Sequence, residues 1–189
     1  MTSIHADITL SLDGYVAGPH AGPGNGLGDG GRPLHDWIFG DLTDPANSAD
    51  ADFVEKLDAE TGAVIVGRTM FEAGDRWGNQ NPFSTPAFVL TSRVTDDLPS
   101  GFEYVTSLPE ALRRARAVAG DKAVAVRGGA HVIRQFLEAD LIDTLTLHLA
   151  PLILGGGTRL FEGCVPTVWQ RTDCRPSPRV THLTYRIAR

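Results

Sequence analysis

The sequence predicts an α/β fold, with a largely parallel central sheet, helices on both faces and an antiparallel C-terminal hairpin. Three observations predict it. Ile4, Ala6, Ile8, Leu10 and Leu12 alternate strictly with His5, Asp7, Thr9 and Ser11, the period of a strand with one apolar face. Through the middle of the chain short apolar runs alternate with helical patterns, which is how parallel strands are connected. In the tail, two runs at about Val168–Cys174 and Val180–Ile187 are joined by the turn "RPSP" and add an antiparallel edge.

The elements follow in order. After the first strand, residues 18–33 are rich in Gly, Pro, Asn and Asp and read as a long lid or binding loop. A helical turn around Leu34–Phe39 precedes a helix from about Ser48 to Glu60, with Ser48 as its expected N-cap and Phe53, Val54 and Leu57 at helical spacing. "GAVIVG" is a buried strand and "RTMFEAG" a helix opening at its end. "PAFVLTSR" is a second buried strand. "SLPEALRRARAVAG" is an amphipathic helix capped by Ser107, with Pro109 and Glu110 in its first turn and Gly120 at its end. "KAVAVRGG" is a strand, "AHVIRQFLEAD" a helix, and "LIDTLTLHLAPLIL" a strand with Leu145, Leu147 and Leu149 on one face.

A chain of 189 residues with 42% hydrophobic and 21% charged residues is expected to form one domain, residues 1–189, with a sizeable core. The formal charge of −6 and the lack of a basic stripe argue against nucleic acid as a partner. No apolar run reaches membrane-spanning length and the N-terminus has no leader pattern, so a cytoplasmic location is expected, without a membrane partner. Cys164 and Cys174 form no CxxC pair and are expected to be free thiols. The histidines show no metal-ligand spacing, and no metal is expected.

Two glycine clusters compete as phosphate sites. "GLGDGG", Gly26 to Gly31, spells G-x-G-x-x-G, but it follows no strand directly and opens no helix. Asp50 and Asp52, at the distance of a ribose-binding acid, fall inside a predicted helix. "KAVAVRGGAHVIRQFL" has the required order of strand, glycine turn and helix. Its Gly128 and Gly129 admit close approach, and the amides of Ala130, His131 and Val132 are expected to be free at the helix start. A plain strand-to-helix turn would look the same locally. Thr91, Ser92 and Arg93 close another strand with two hydroxyls and a guanidinium, suited to a phosphate monoester. Arg68 and Thr69 open a helix after a third strand. Three such junctions on one sheet edge suit an extended, multiply charged ligand.

Taken together, "SLDGYVAG", "VIVGRTMFE", "FVLTSR", "AVRGGAHVIRQFLEADLID" and "LAPLILGGGTRLFEG" resemble, in order and distance, the dihydrofolate-reductase-like family. They are most similar to its riboflavin-biosynthesis reductase branch, the RibD C-terminal domain. The match spans roughly residues 4–187. The resemblance implies a three-layer dihydrofolate-reductase-like fold and an NADPH-dependent reductase that transfers hydride to a C=N or C=O carbon. The reaction of that branch is the reduction of 5-amino-6-(5-phosphoribosylamino)uracil. By the same resemblance, Gly128, Gly129, Ala130, His131 and Val132 hold the pyrophosphate and adjoining ribose. Thr91, Ser92 and Arg93 surround the 2′-phosphate, Gly67, Arg68 and Thr69 meet phosphates from the other side, and the stretch Leu12–Gly18, with Leu12 and Val16 as cofactor contacts, lies beside the nicotinamide. Met70 stands where the family often has threonine, and Ala130 replaces a third glycine. The sequence holds no H-x-E with P-C-x-x-C, so no zinc-deaminase chemistry is expected of it.

The substrate is expected to be a small molecule, a pyrimidine or a pterin, and the assembly a homodimer. Asp36 in "LHDWIF" is one candidate proton donor, with Trp37 as a ring-stacking wall, against the alternative of a solvated helix cap. Asp7, on the polar side of the first strand with Thr9, is the other; it could equally serve a subunit contact. Arg159 could meet a substrate phosphate. The alternatives to this reading are a dihydrofolate reductase and a non-catalytic NADPH-binding protein.

Overall fold

The computed structural model describes residues 2–94 and 99–187. Its strands are β1 (Ile4–Ser11), β2 (Tyr15–Ala17), β3 (Thr61–Gly67), β4 (Ala87–Leu90), β5 (Phe102–Val105), β6 (Ala123–Arg127), β7 (Thr144–Ala150), β8 (Thr158–Arg159), β9 (Trp169–Pro176) and β10 (Thr181–Ile187). Its helices are α1 (Ser48–Glu60), α2 (Arg68–Ala73), the single turn α3 (Arg76–Asn79), α4 (Leu108–Ala119) and α5 (Ala130–Glu138), with 3-10 turns at Arg32–His35 and Pro45–Asn47. The main sheet has eight strands in the order β5-β4-β3-β6-β1-β7-β10-β9. From β5 to β7 every pairing is parallel; β10 and β9 join antiparallel. The α/β class, the parallel centre and the C-terminal hairpin are as the sequence predicts.

One face of the sheet carries the larger core. Ile4, Ala6 and Leu10 of β1 meet Ala111, Leu112 and Ala115 of α4 and Ile133 and Phe136 of α5. The other face is covered in two patches. Val64, Val66, Ala87 and Val89 pack with Phe71 and Phe102, and Leu34 and Trp37 pack with Ala150, Val180 and Phe53. The second patch changes the expectation for β1. Its polar side is buried as well, with Thr9 4% and Ser11 0% exposed, because α1 and the turn at Arg32–His35 close over it. Only Leu12, one residue past the strand, emerges.

The caps divide. Ser107 Oγ accepts from the Glu110 amide at 3.4 Å and Gly120 ends α4 at φ +61°, as expected. Ser48 is not a cap: it is the first residue of α1, behind Asn47, and the capping side chain nearby is Asp44, which accepts from the Ala46 amide. The run "LIDTLTLHLAPLIL" is a strand only from Thr144 to Ala150, since Pro151 has no N–H to continue the ladder. Three short strands escape sequence patterning. β5 has four residues, and β2 and β8 pair Tyr15 with Arg159 across most of the chain. Cys164 and Cys174 are free thiols. No helix among the described residues is long and apolar enough to cross a membrane.

Phe136, fully buried on α5 against the sheet, is where this packing is most easily tested. Phe136→Ala is expected to lower stability by about 3–5 kcal/mol, read as a lower midpoint in urea unfolding.

Candidate functional site

The parallel strands β4, β3 and β6 are neighbours, so their C-terminal ends lie side by side on one edge. That brings Thr91–Arg93, Gly67–Thr69 and Gly128–Val132 together, as the sequence expects. Arg68 ties two of the junctions: its Nη1 donates to the Arg93 carbonyl at 2.5 Å and its Nε to Glu72 Oε1 at 2.7 Å. The Gly67 amide bonds the Gly128 carbonyl at 3.2 Å and links the other pair. The Thr91 hydroxyl is taken up within its own turn, accepting from the Arg93 amide at 3.0 Å, while Ser92 and Arg93 face outward. Thr69 is exposed at the start of α2.

The Gly128–Gly129 peptide is cis, and Gly128 has φ +62°, a region that favours glycine. A Cβ on Gly128 would stand 2.8 Å from Met70 Sδ, and one on Gly67 would stand 2.7 Å from Val132 Cγ2. Beside Gly129 the first atom met is Met70 Cβ at 3.9 Å, so the backbone there is open. Ala130 and His131 open α5 with no carbonyl a turn earlier for their amides to reach. The expectation of three free amides is corrected at Val132, which donates to the Gly129 carbonyl at 3.1 Å. Val132 and Ala130 are buried, and His131 is exposed.

The next strand along, β1, ends on the same edge. There Asp13, which sequence reasoning passed over, is a hub. Its carboxylate accepts from Ser11 Oγ at 2.6 Å, the Leu154 amide at 3.1 Å and the Gly155 amide at 2.7 Å. These bonds, the Ser11 hydroxyl first, hold its carboxyl down at about 2. Arg159 donates to the Asp13 carbonyl at 3.2 Å and lies 4.4 Å from the Tyr15 ring centroid. Val16 turns into the core and Leu12 is exposed at the rim. "GLGDGG" is no phosphate cradle. It belongs to a loop folded on itself, with the Gly18 amide on the Leu27 carbonyl and the Asp29 amide on the Pro19 carbonyl. A Cβ on Gly18 would lie 2.0 Å from the Asp29 oxygen.

Beneath β1, on the side covered by α1, lies a buried polar layer. Thr9 Oγ1 accepts from the Trp37 indole at 2.9 Å, and Trp37 is 4% exposed. The wall expected of Trp37 faces inward instead, 4.5 Å from the His148 ring and 5.1 Å from His182. His182 Nε2 meets Asp50 Oδ1 at 2.8 Å, and the two Nδ1 atoms of His182 and His148 are 2.7 Å apart. His148 Nε2 is 4.0 Å from Asp7 Oδ2. Burial pushes the Asp7 carboxyl up to about 6, against the opposing pull of Arg127. Burial also pushes both imidazoles below their ordinary value, His148 furthest. Asp36 stays exposed beside Trp37, its carbonyl held by Arg179 at 3.2 Å. So the structure places Asp7, and not Asp36, in the buried layer. Register sets Asp7 opposite Arg127, the residue before Gly128, at the level of the glycine turn. A cavity of about 640 Å³ opens from Asp7 toward the strand starts, lined by Lys56, Thr146 and Thr184 among others.

Sequence reasoning missed Asp13, His148 and His182, and read Asp50 only as a helix residue. Alternation on β7 placed His148 opposite its leucines, the one local signal for this layer. No group of three or more His, Cys, Asp or Glu placed to hold a metal occurs among the described residues.

The family model described as RibD C-terminal domain matches residues 2–183. The riboflavin biosynthesis protein RibD of Corynebacterium ammoniagenes is 28% identical over 129 residues, 64% of this chain and 38% of that protein. The match therefore covers under half the length of that relative. A solved structure from Shewanella sp. PV-4, of a protein assigned to riboflavin biosynthesis, superposes with a TM-score of 0.74 over 100% of both chains at 23% identity. Dihydrofolate reductase from Enterococcus faecalis, complexed with NADP(H) and RAB-propyl, superposes with a TM-score of 0.58 at 18% identity, covering 99% of this chain and 97% of that one.

Asp13 carries a pH prediction. Its folded-state carboxyl titrates below its unfolded value, so the stabilisation it gives is complete above about pH 4 and is lost as pH falls toward 2. In Asp13→Asn that acid-dependent loss is expected to disappear from the unfolding midpoint between pH 4 and 2. The Leu154 and Gly155 amides are expected to exchange with deuterium faster at neutral pH.

Proposed function

This chain belongs to the RibD C-terminal domain family, and from that premise we propose that it is an NADPH-dependent reductase acting on a C=N or C=O carbon of a small pyrimidine-like or pterin-like substrate. The reaction type is that of 5-amino-6-(5-phosphoribosylamino)uracil reduction. The observation that carries the reading is the convergence of three strand ends, at Gly67–Thr69, Thr91–Arg93 and Gly128–Val132, on one edge of the sheet.

The residues there fit such a cofactor. The open backbone at Gly129 and the amides of Ala130 and His131 suit a pyrophosphate, with the α5 dipole adding to the attraction. The exposed guanidinium of Arg93, with Ser92 beside it, suits the 2′-phosphate that separates NADPH from NADH. Arg68 holds the two turns together through the Arg93 carbonyl, which fixes where that guanidinium starts. When bound, the cofactor supplies the hydride, two electrons and one hydrogen. The protein's part is to orient the partners and to provide a proton. Asp7 fits that second task, since it lies level with the glycine turn and burial raises its carboxyl to about 6, above the usual carboxylate range. The bond between Trp37 and Thr9 fixes the buried layer next to Asp7.

The reading is tested by titrating the protein with NADPH and with NADH, followed by tryptophan fluorescence. NADPH is expected to bind more tightly. Arg93→Ala is expected to weaken NADPH by about tenfold to a hundredfold, the loss of a charged hydrogen-bonded contact of about 1.5–3 kcal/mol, and to leave NADH unchanged. Binding of neither nucleotide would remove the reductase reading. Asp7→Asn is expected to keep NADPH affinity within about twofold while abolishing substrate-dependent NADPH oxidation, a separation of binding from chemistry.

A further inference from the structure

The core beneath β1 contains a row of four ionisable side chains where apolar ones would pack at less cost. Asp50 is 0% exposed, His182 2% and His148 1%. They run from the first turn of α1, across β10 and β7, to Asp7 on β1. The links are 2.8 Å, 2.7 Å and 4.0 Å. Three buried atoms of the row have no hydrogen-bond partner among the described residues: Asp50 Oδ2 at one end, and His148 Nε2 and Asp7 Oδ1 at the other.

Hydrogen-bond logic fixes the direction of the row. An Nδ1–Nδ1 contact holds one proton, because one ring must donate and the other accept. Asp50 sits in the first turn of α1, where the helix dipole favours negative charge, and serves as the acceptor that starts the row. His182 then carries its proton on Nε2 and offers a lone pair at Nδ1. His148 must donate from Nδ1, and its remaining lone pair, on Nε2, faces Asp7. A lone pair there favours the neutral acid over the carboxylate, across a gap of 4.0 Å.

We propose that Asp50 is a positioning residue that acts through His182 and His148 to present a lone pair to Asp7 and so keeps Asp7 a hydrogen-bond-donating acid, ready to give its proton to the substrate. This rests on the reductase reading for the use of the proton, not for the row itself. In that use the substrate carbon gains hydride, the adjoining nitrogen or oxygen takes the Asp7 proton, and the C=N or C=O double bond becomes single. Asp7 is left as a carboxylate, to be reprotonated from water through the cavity beneath it, where its side chain is 17% exposed.

Other charges face the row and bear on its titration. Arg127 from β6 pulls Asp7 toward the carboxylate, Lys56 from α1 lines the same cavity, and Asp58 of α1 holds Arg127 at 3.5 Å. His35 faces His148 from the turn before Trp37, and Arg175 faces His182 from β9. Burial of both rings, with Arg175 beside His182, opposes their protonation against the pull of Asp50 on His182, so the two rings stay neutral and the row keeps its direction.

The test is nitrogen and carbon NMR on the full chain without ligand. In the wild type, imidazole ¹⁵N shifts are expected to show His182 protonated on Nε2 and His148 on Nδ1 from pH 5 to 8. The Asp7 carboxyl ¹³C resonance, assigned with Asp7→Asn, is expected to titrate near 6. In Asp50→Asn the amide can also donate, the row is no longer held in one direction, and the Asp7 midpoint is expected to fall to about 5 or below, tenfold or more in proton affinity. A wild-type His148 protonated on Nε2 overturns the proposal, as does an Asp7 midpoint unmoved in Asp50→Asn. The wild-type tautomers decide the matter even if that variant does not fold. NADPH binding is read separately. Its absence with the tautomers as stated removes the reductase reading alone, and reversed tautomers with NADPH bound remove the row alone.

Discussion

The burial of β1 on both faces is the constraint on which the rest of the structure depends. A central strand flanked by β6 and β7 has its backbone satisfied by its neighbours. Its side chains are another matter. One row is apolar and meets α4 and α5 without cost. The other is His5, Asp7, Thr9 and Ser11, and each polar group taken from water needs a partner inside. Those partners order much of the molecule. Thr9 fixes Trp37, and with it the turn at Arg32–His35. Ser11 fixes Asp13, which in turn pins the segment at Leu154 and Gly155. Asp7 faces the histidines of β7 and β10.

The same strand separates two kinds of chemistry. Toward its C-terminal end lies an edge of open backbone, exposed guanidinium and helix start, which suits a ligand of high negative charge. Under its middle lies a desolvated layer in which charge is costly, so burial raises the Asp7 carboxyl and holds the imidazoles below their ordinary value. The hydride transfer proposed above, coupled to protonation, would need both, and need them close. Pairing of Asp7 with Arg127, one residue before the glycine turn, supplies that closeness through sheet register alone. Because a one-residue slip would turn Asp7 to the opposite face, register is as much a part of the candidate site as any side chain.

The glycine-rich loop shows how context decides a motif. Its letters match a dinucleotide fingerprint, yet its glycines serve close backbone crossings, such as Gly18 against Asp29. The loop also carries the exposed His20–Asp29 contact of 2.8 Å, which closes it locally. By contrast, "RGGAH" matches no such string but stands where a strand becomes a helix, and there the physics of free amides applies.

What the sequence determined by itself was everything carried by short-range pattern. That includes the α/β class, the alternation of β1, the Ser107 cap, the three strand-end turns and the dismissal of "GLGDGG". Each depends on residues within about one turn of helix or a few positions of strand, where propensity and spacing act directly. Only the tertiary structure decided which polar groups are buried and with whom. Asp50 and His182 are 132 positions apart, and Asp13 and Gly155 are 142 apart. Neither pairing leaves a local trace. Likewise Trp37 reads from sequence as a wall for a ligand, and becomes a core residue because Thr9 and two imidazoles converge on it. The reason is physical: periodicity states which side of a strand is apolar, but whether its polar side meets water or another layer depends on what the rest of the chain brings to cover it.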